Sequence, residues 1–77
     1  MPPLPVINAK QFIKFLETLG FRLIRQKGSH KRFKHTITKK SITVPDHGKE
    51  TLKRGLLNAM LNDINVSVAD LINFLNK

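Results

Sequence analysis

The sequence contains no cysteine, no tryptophan and no tyrosine, and only five of its 77 residues are acidic. Without cysteine there is no disulfide, no thiolate metal site and no cysteine nucleophile. That absence fits a reducing compartment, so the cytoplasm is the expected location. No apolar run approaches the roughly 20 residues that a membrane-spanning helix requires, and no membrane partner is expected. The opening stretch MPPLPVI has neither the basic start nor the long apolar centre of a secretory signal. The lack of Trp and Tyr also removes the best base-stacking side chains. Four of the five phenylalanines fall on core-facing stripes, so an aromatic platform for single-stranded nucleic acid is not expected.

A chain of this length implies one domain, residues 1–77, with residues 1–7 as an extended arm stiffened by Pro2, Pro3 and Pro5. A domain this small buries only about 60% of its unfolded surface. It has room for one core and none for a deep pocket. Any catalytic site would lie at the surface, where a polymer can reach it.

What is abundant is positive charge. The formal net charge is +9. Residues 1–40 hold ten Lys/Arg against the single acid Glu17, whereas residues 41–77 hold four Lys/Arg and four acids. An excess confined to one part of a chain is the electrostatic footprint of a polyanion partner. The plainer reading, a solvated face that keeps the protein soluble, accounts less well for its concentration. No segment reads as a basic amphipathic helix, which disfavours an acidic membrane surface.

Asn8 and Gln11 have the spacing of a helix-capping box. Ala9, Phe12, Ile13, Leu16 and Leu19 recur at helical steps, Phe15 widens the stripe, and Gly20 can end the helix. From Phe21 the period becomes two. Phe21-Arg22-Leu23-Ile24 reads as a strand and Lys27-Gly28-Ser29 as a turn. A second strand places Phe33, His35 and Ile37 on one face and Arg32, Lys34 and Thr36 on the other. Thr38-Lys39-Lys40 is a polar turn, and Ser41–Val44 a third strand stopped by Pro45. Leu52, Leu56, Ala59 and Met60, with Leu57 at the edge, mark a second helix. Ser67 and Asp70 open a short last helix carrying Val68, Leu71, Ile72 and Leu75. The predicted class is α+β: a three-stranded antiparallel sheet with helices on one face. Phe21, Leu23, Phe33, Ile37, Ile42 and Val44 would carry the helices, and the other face would stay open.

The segment RQKGSHKRFKH, Arg25 to His35, holds five basic residues and two histidines around a Gly-Ser pair. Five is an odd separation, so in a regular strand His30 and His35 face opposite ways. His35 goes with Phe33 on the covered side. His30 goes with Arg32 and Lys34 on the open, basic side. The two are therefore not expected to act as an acid–base pair. A histidine in a strand is most often structural or merely exposed, but His30 has three further attributes. Gly28 and Ser29 leave room for a phosphate to approach the backbone. Lys27, Lys31, Arg32 and Lys34 surround it and would offset charge in a transition state. Those same cations favour the neutral imidazole, the form that accepts a proton. RNA carries its own nucleophile, the 2′-hydroxyl, so a base, cations and correct placement suffice without a metal or cofactor. Asp46, His47 and Glu50 share a loop, but their spacing matches no metal signature. His47 reads as a loop histidine that faces substrate. Ser29 has no visible carboxylate-oriented base beside it to make it a nucleophile.

The segments LETLGFRLIRQKGSHKRFKH, ITVPDH and LKRGLLNAML resemble the HicA family of toxins from prokaryotic toxin–antitoxin pairs. The resemblance implies a fold like a double-stranded-RNA-binding domain, an αβββα layer, here with a short C-terminal helix added. It implies an mRNA interferase that cuts mRNA independently of the ribosome, and a cognate HicB-like antitoxin as partner. It also implies that the histidine of the Gly-Ser-His motif, His30, is catalytic, with Gly28 and Ser29 in the same motif. His35 and His47 match positions where the family often has histidine. Leucine follows Gly55 where the family commonly has threonine, and the proline-rich start has no counterpart.

The expected function is a metal-independent endoribonuclease toxin. His30 would be the base, and Lys27, Gly28, Ser29, Lys31, Arg32, Lys34 and His47 would form the substrate-binding set. The competing expectation is a non-catalytic double-stranded-RNA-binding module on the same fold, in which His30 contacts phosphate or a groove hydroxyl. A protein-interaction module explains the charge only if its partner is acidic.

Overall fold

The computed structural model describes residues 3–77, so the expected contributions of Met1 and Pro2 to the arm lie outside the described residues. The element order is α1 (Ala9–Thr18), β1 (Phe21–Lys27), β2 (His30–His35), β3 (Ser41–Pro45), α2 (Arg54–Asp63) and α3 (Val68–Leu75). The strands form one antiparallel sheet in the order β1-β2-β3. This is the α+β layout that the periodicities predict.

The α1 cap is a complete capping box. The Asn8 side chain accepts from the Gln11 amide at 3.0 Å and the Gln11 side chain accepts from the Asn8 amide at 3.0 Å, which satisfies two of the amides a helix start leaves free. Ala9, Phe12, Phe15 and Leu16 form the buried stripe. Gly20, at φ +104°, turns the chain into β1. The arm is tied to the body. Leu4 packs on the core, Ile7 is buried, and the Ile7 carbonyl accepts from the Leu52 amide at 2.8 Å.

The core lies between the sheet and the helices. Phe12, Leu16, Phe33, Val44, Leu57, Leu61 and Leu71 are its fully buried side chains. Each contributes roughly 1.5–3 kcal/mol by leaving water. Among the described residues no polar or charged side chain is buried, so every group able to do chemistry lies at or near the surface.

Three expectations about the core need correction. Ile37 is 81% exposed, because β2 stops at His35. The Lys39 amide donates to the His35 carbonyl at 3.2 Å, and that turn ends the alternation before Ile37. Leu23 is 50% exposed although it pairs with buried Phe33; it sits on an edge strand that the helices cover incompletely. In α2 the buried stripe is Leu57, Met60 and Leu61, continued by Ile64, while Leu56 and Ala59 face outward. The helix begins at Arg54, and the i, i+3, i+4, i+7 set that meets the core starts one residue later than the one read from Leu52 and Leu56.

Candidate functional site

The Gly-Ser turn joins β1 to β2 as a two-residue hairpin loop, with Lys27 paired to His30. Gly28 takes φ +58°, a conformation that suits glycine at the first position of such a loop. A Cβ on Gly28 would meet nothing within 4 Å, so open space lies over the turn. The loop is also fastened from outside. The Ser29 carbonyl accepts from the Asp46 amide at 2.7 Å.

Partners directly opposed in an antiparallel ladder share a face. On the open face these are Arg22 with Lys34 and Ser41, Arg25 with Arg32 and Thr43, and Lys27 with His30 and Pro45. Five cations and one imidazole thus belong to this face, with the Arg22 guanidinium at its edge, where it donates to the Phe21 carbonyl at 2.8 Å and to the Glu17 carbonyl of α1 at 3.2 Å. Arg32 lies flat across β3, donating to Thr43 Oγ1 at 3.0 Å and Ser41 Oγ at 2.7 Å. That anchoring fixes its guanidinium in place and lowers the entropy lost when a phosphate binds it. His30 is exposed, and its ring has no hydrogen-bond partner among the described residues.

Arg22 and Arg25 are members of this surface that the sequence reading did not select. Arg25 arrives by a register shift. Leu23 pairs with Phe33, but Arg25 pairs with Arg32, so Ile24 is an extra residue in a β-bulge. A regular strand would have set Arg25 opposite Lys31 and pointed it to the helix side. The available signal was the Leu23-Ile24 doublet, which breaks the alternation at that point.

Lys31 is not on this face. It pairs with Val44, which is fully buried, and shares the helix side with Phe33. Its ammonium binds Asp46 Oδ2 at 2.8 Å. Asp46 also accepts from the Gly48 amide at 3.0 Å through Oδ1. The Lys31 hydrogen bond, and then the Gly48 amide, hold the Asp46 carboxyl below its ordinary 3.8. Lys31 and Asp46 therefore brace the hairpin against the β3–α2 loop.

His35 is fully engaged. Its Nε2 lies 2.7 Å from the Leu19 carbonyl, and its Nδ1 accepts from the Ile37 and Thr38 amides, both at 3.1 Å. A carbonyl can only accept and an amide N–H can only donate, so the neutral tautomer with hydrogen on Nε2 is fixed. The ring stands edge-on to Phe21, with centroids 5.0 Å apart at 83°. His35 closes the end of α1 and shapes the turn after β2.

His47 is exposed in the loop that follows Pro45, and with Glu50 it lines a cleft against the start of α2. The described residues contain no group of three or more His, Cys, Asp or Glu that could hold a metal ion. They also contain no helix long and apolar enough to cross a membrane. Chemically, the open face offers an unengaged imidazole within a band of cations. That is an arrangement suited to taking a proton from a hydroxyl next to a phosphodiester.

Searches of curated proteins and of solved structures return no match. A family model described as the HicA toxin of bacterial toxin–antitoxin systems matches residues 9–66. The match runs from the first residue of α1 through the turn after α2, and so includes the capped helix, all three strands, the Gly-Ser-His hairpin and the Asp46 loop. The chain belongs to the HicA toxin family of bacterial toxin–antitoxin systems.

Proposed function

We propose that this toxin is an endoribonuclease that cleaves single-stranded mRNA without the ribosome and so arrests translation and growth in the cytoplasm. The observation that carries the reading is the contrast between the two histidines of β2. His35 has both ring nitrogens committed to the backbone, whereas His30 has neither committed and sits among Arg25, Lys27 and Arg32.

In this mechanism the RNA backbone tracks the open sheet face, held by Arg22, Arg25, Lys27, Arg32 and Lys34. Neutral His30 accepts the proton of a 2′-hydroxyl. The 2′-oxygen attacks the adjacent phosphorus, and the bond to the 5′-oxygen of the next nucleotide breaks. That oxygen takes a proton from water or from a neighbouring lysine. The products are a 2′,3′-cyclic phosphate and a 5′-hydroxyl. Arg32, pre-anchored on Thr43 and Ser41, offsets the charge gathering on the phosphoryl oxygens. Ser29 and Gly28 shape the approach, and Lys31 holds the hairpin from behind through Asp46. The chemistry requires no metal and no cofactor, and DNA, which lacks the 2′-hydroxyl, is not a substrate.

A toxin of a toxin–antitoxin system has a cognate antitoxin, and the open face, with its cations, is the surface an acidic HicB-like partner would cover. The test is incubation of the protein and of His30→Ala with single-stranded RNA in the presence of a chelator. Cleavage to cyclic-phosphate ends by the parent, lost in the variant with RNA binding retained, is the expected result. Ends carrying only 5′-phosphate would refute the route. Binding without cleavage by either protein would favour the non-catalytic RNA-binding module.

A further inference from the structure

A cleft of about 290 Å³ lies between the β3–α2 loop and the first turn of α2. Pro45, Leu52 and Leu56 give it apolar walls, and His47, Glu50 and Lys53 stand among its lining residues. Pro45 is the ladder partner of His30, and directly opposed residues have Cα atoms only about 5 Å apart. The cleft therefore borders the end of β3 at the ladder position opposite His30. A chain with a phosphate at His30 brings a neighbouring base to it.

The lining fits a flat ring with polar edges. Leu56 is the one large apolar residue of α2 that is substantially exposed, at 38%, and it lines this cleft. Apolar walls with a few convergent polar groups are the usual composition of a small-molecule subsite. Glu50 supplies the selective group. A carboxylate only accepts hydrogen bonds, and Glu50 has no ion-pair partner among the described residues. On a protein of net charge +9, a carboxylate beside a phosphate track weakens binding unless the ligand donates to it. The base edges that donate most freely carry an exocyclic amine, which cytosine, adenine and guanine have and uracil lacks.

We propose that this cleft is a nucleobase subsite selecting a base with an exocyclic amino group, and that Glu50 accepts from that amine. The inference builds on the ribonuclease reading. Cytosine and uracil share a pyrimidine ring and differ on the pairing edge, a 4-amine beside a bare N3 against a 4-carbonyl beside a single N3–H, so they make the decisive pair. The experiment measures binding of oligo(C) and oligo(U) to the His30→Ala variant at pH 7.5 and fixed salt, alone and combined with Glu50→Ala or Glu50→Lys. The expected result is a preference for oligo(C) of about fivefold or more, abolished by Glu50→Ala and turned toward oligo(U) by Glu50→Lys. Equal binding of the two oligomers, or a preference that survives Glu50→Ala, would overturn the proposal. Cleavage by the parent protein is scored separately. A Glu50-dependent preference without any cleavage would uphold the subsite and remove the nuclease reading. Cleavage with no base preference would do the reverse.

Discussion

Replacing His35 with alanine separates structure from catalysis at the two histidines of one strand. The substitution removes the donor to the Leu19 carbonyl, the acceptor for the Ile37 and Thr38 amides, and the edge contact on Phe21. Three hydrogen bonds at about 1 kcal/mol each and an aromatic edge contact at about 0.5–1.5 kcal/mol give a ceiling of about 4.5 kcal/mol. His35 is only half-buried and the turn amides are exposed, so water recovers part of this. About 2–3 kcal/mol is the working figure after that discount. For a domain of this size that lowers the melting temperature by roughly 10–20 °C. Thermal unfolding followed by circular dichroism reads the loss, and RNA cleavage well below the transition reads activity per folded molecule. His35→Ala should lose stability and keep most of its cleavage. His30→Ala, which loses no side-chain hydrogen bond among the described residues, should stay within about 0.5 kcal/mol of the parent and lose cleavage. A His35 variant with an unchanged melting temperature and no activity would refute the assignment of His35 to structure, and with it the argument that isolates His30.

Gly20→Ala places a Cβ 2.9 Å from His35 Nε2 on backbone at φ +104°, so a cost of about 2 kcal/mol or more is expected. A double-mutant cycle with His35→Ala should recover the steric part only, and full additivity would show that the ring is not the obstacle. For Asp46, the folded-state carboxyl lies below its ordinary 3.8. The Lys31 pair therefore stabilises above that value, and the contribution disappears as pH falls through the lowered one. Asp46→Asn should cost about 1 kcal/mol at pH 7 for a partly exposed pair. Denaturation midpoints of parent and variant should converge as pH drops below about 4, and a gap that persists in acid would mean that the ion pair is not its cause. Arg32→Ala should weaken RNA binding and reduce the slope of log affinity against log salt by about 1. Lys31→Ala, on the opposite face, should leave that slope unchanged, and equal effects would contradict the assignment of faces.

The regular parts of the fold were legible because local chemistry decides them. The Asn8–Gln11 box, Gly20 as a helix stop, the Gly28-Ser29 hairpin and the Ser67 cap, whose hydroxyl accepts from the Asp70 amide at 3.1 Å, all concern residues three or fewer apart. Parity within β2 was equally secure, and it placed His30 and His35 on their respective faces. What the sequence could not supply was the extent of each neighbour. Ile37 continues the β2 alternation on paper, but the turn that His35 organises cuts the strand before it. Leu56 and Leu57 are equally apolar, and only the position of the sheet decides which faces inward. Lys31 was grouped with its sequence neighbours around His30. Strand alternation, applied to it as it was to the histidines, would have sent it to the Phe33 side.

The bulge in β1 shows how one small sheet can carry both a core and a basic surface. Phe21, Leu23, Arg25 and Lys27 are all odd-numbered, so an unbroken strand would aim all four at one face. If that face were the core, two cations would be buried without partners, at a cost far above what a domain of this size can absorb. If it were solvent, the Lys27–His30 register would hold, but Phe21 and Leu23 would leave the core side and lose their pairings with His35 and Phe33. Inserting Ile24 as an unpaired residue flips the parity between Leu23 and Arg25, so each pair reaches the side its chemistry requires. β2 needs no such device. Its inward residues, Lys31, Phe33 and His35, and its outward ones, His30, Arg32 and Lys34, already alternate. The exposure of Ile24, at 53%, follows from this role. It is apolar surface left on an edge strand so that Arg25 and Lys27 can stand beside Arg32 and His30.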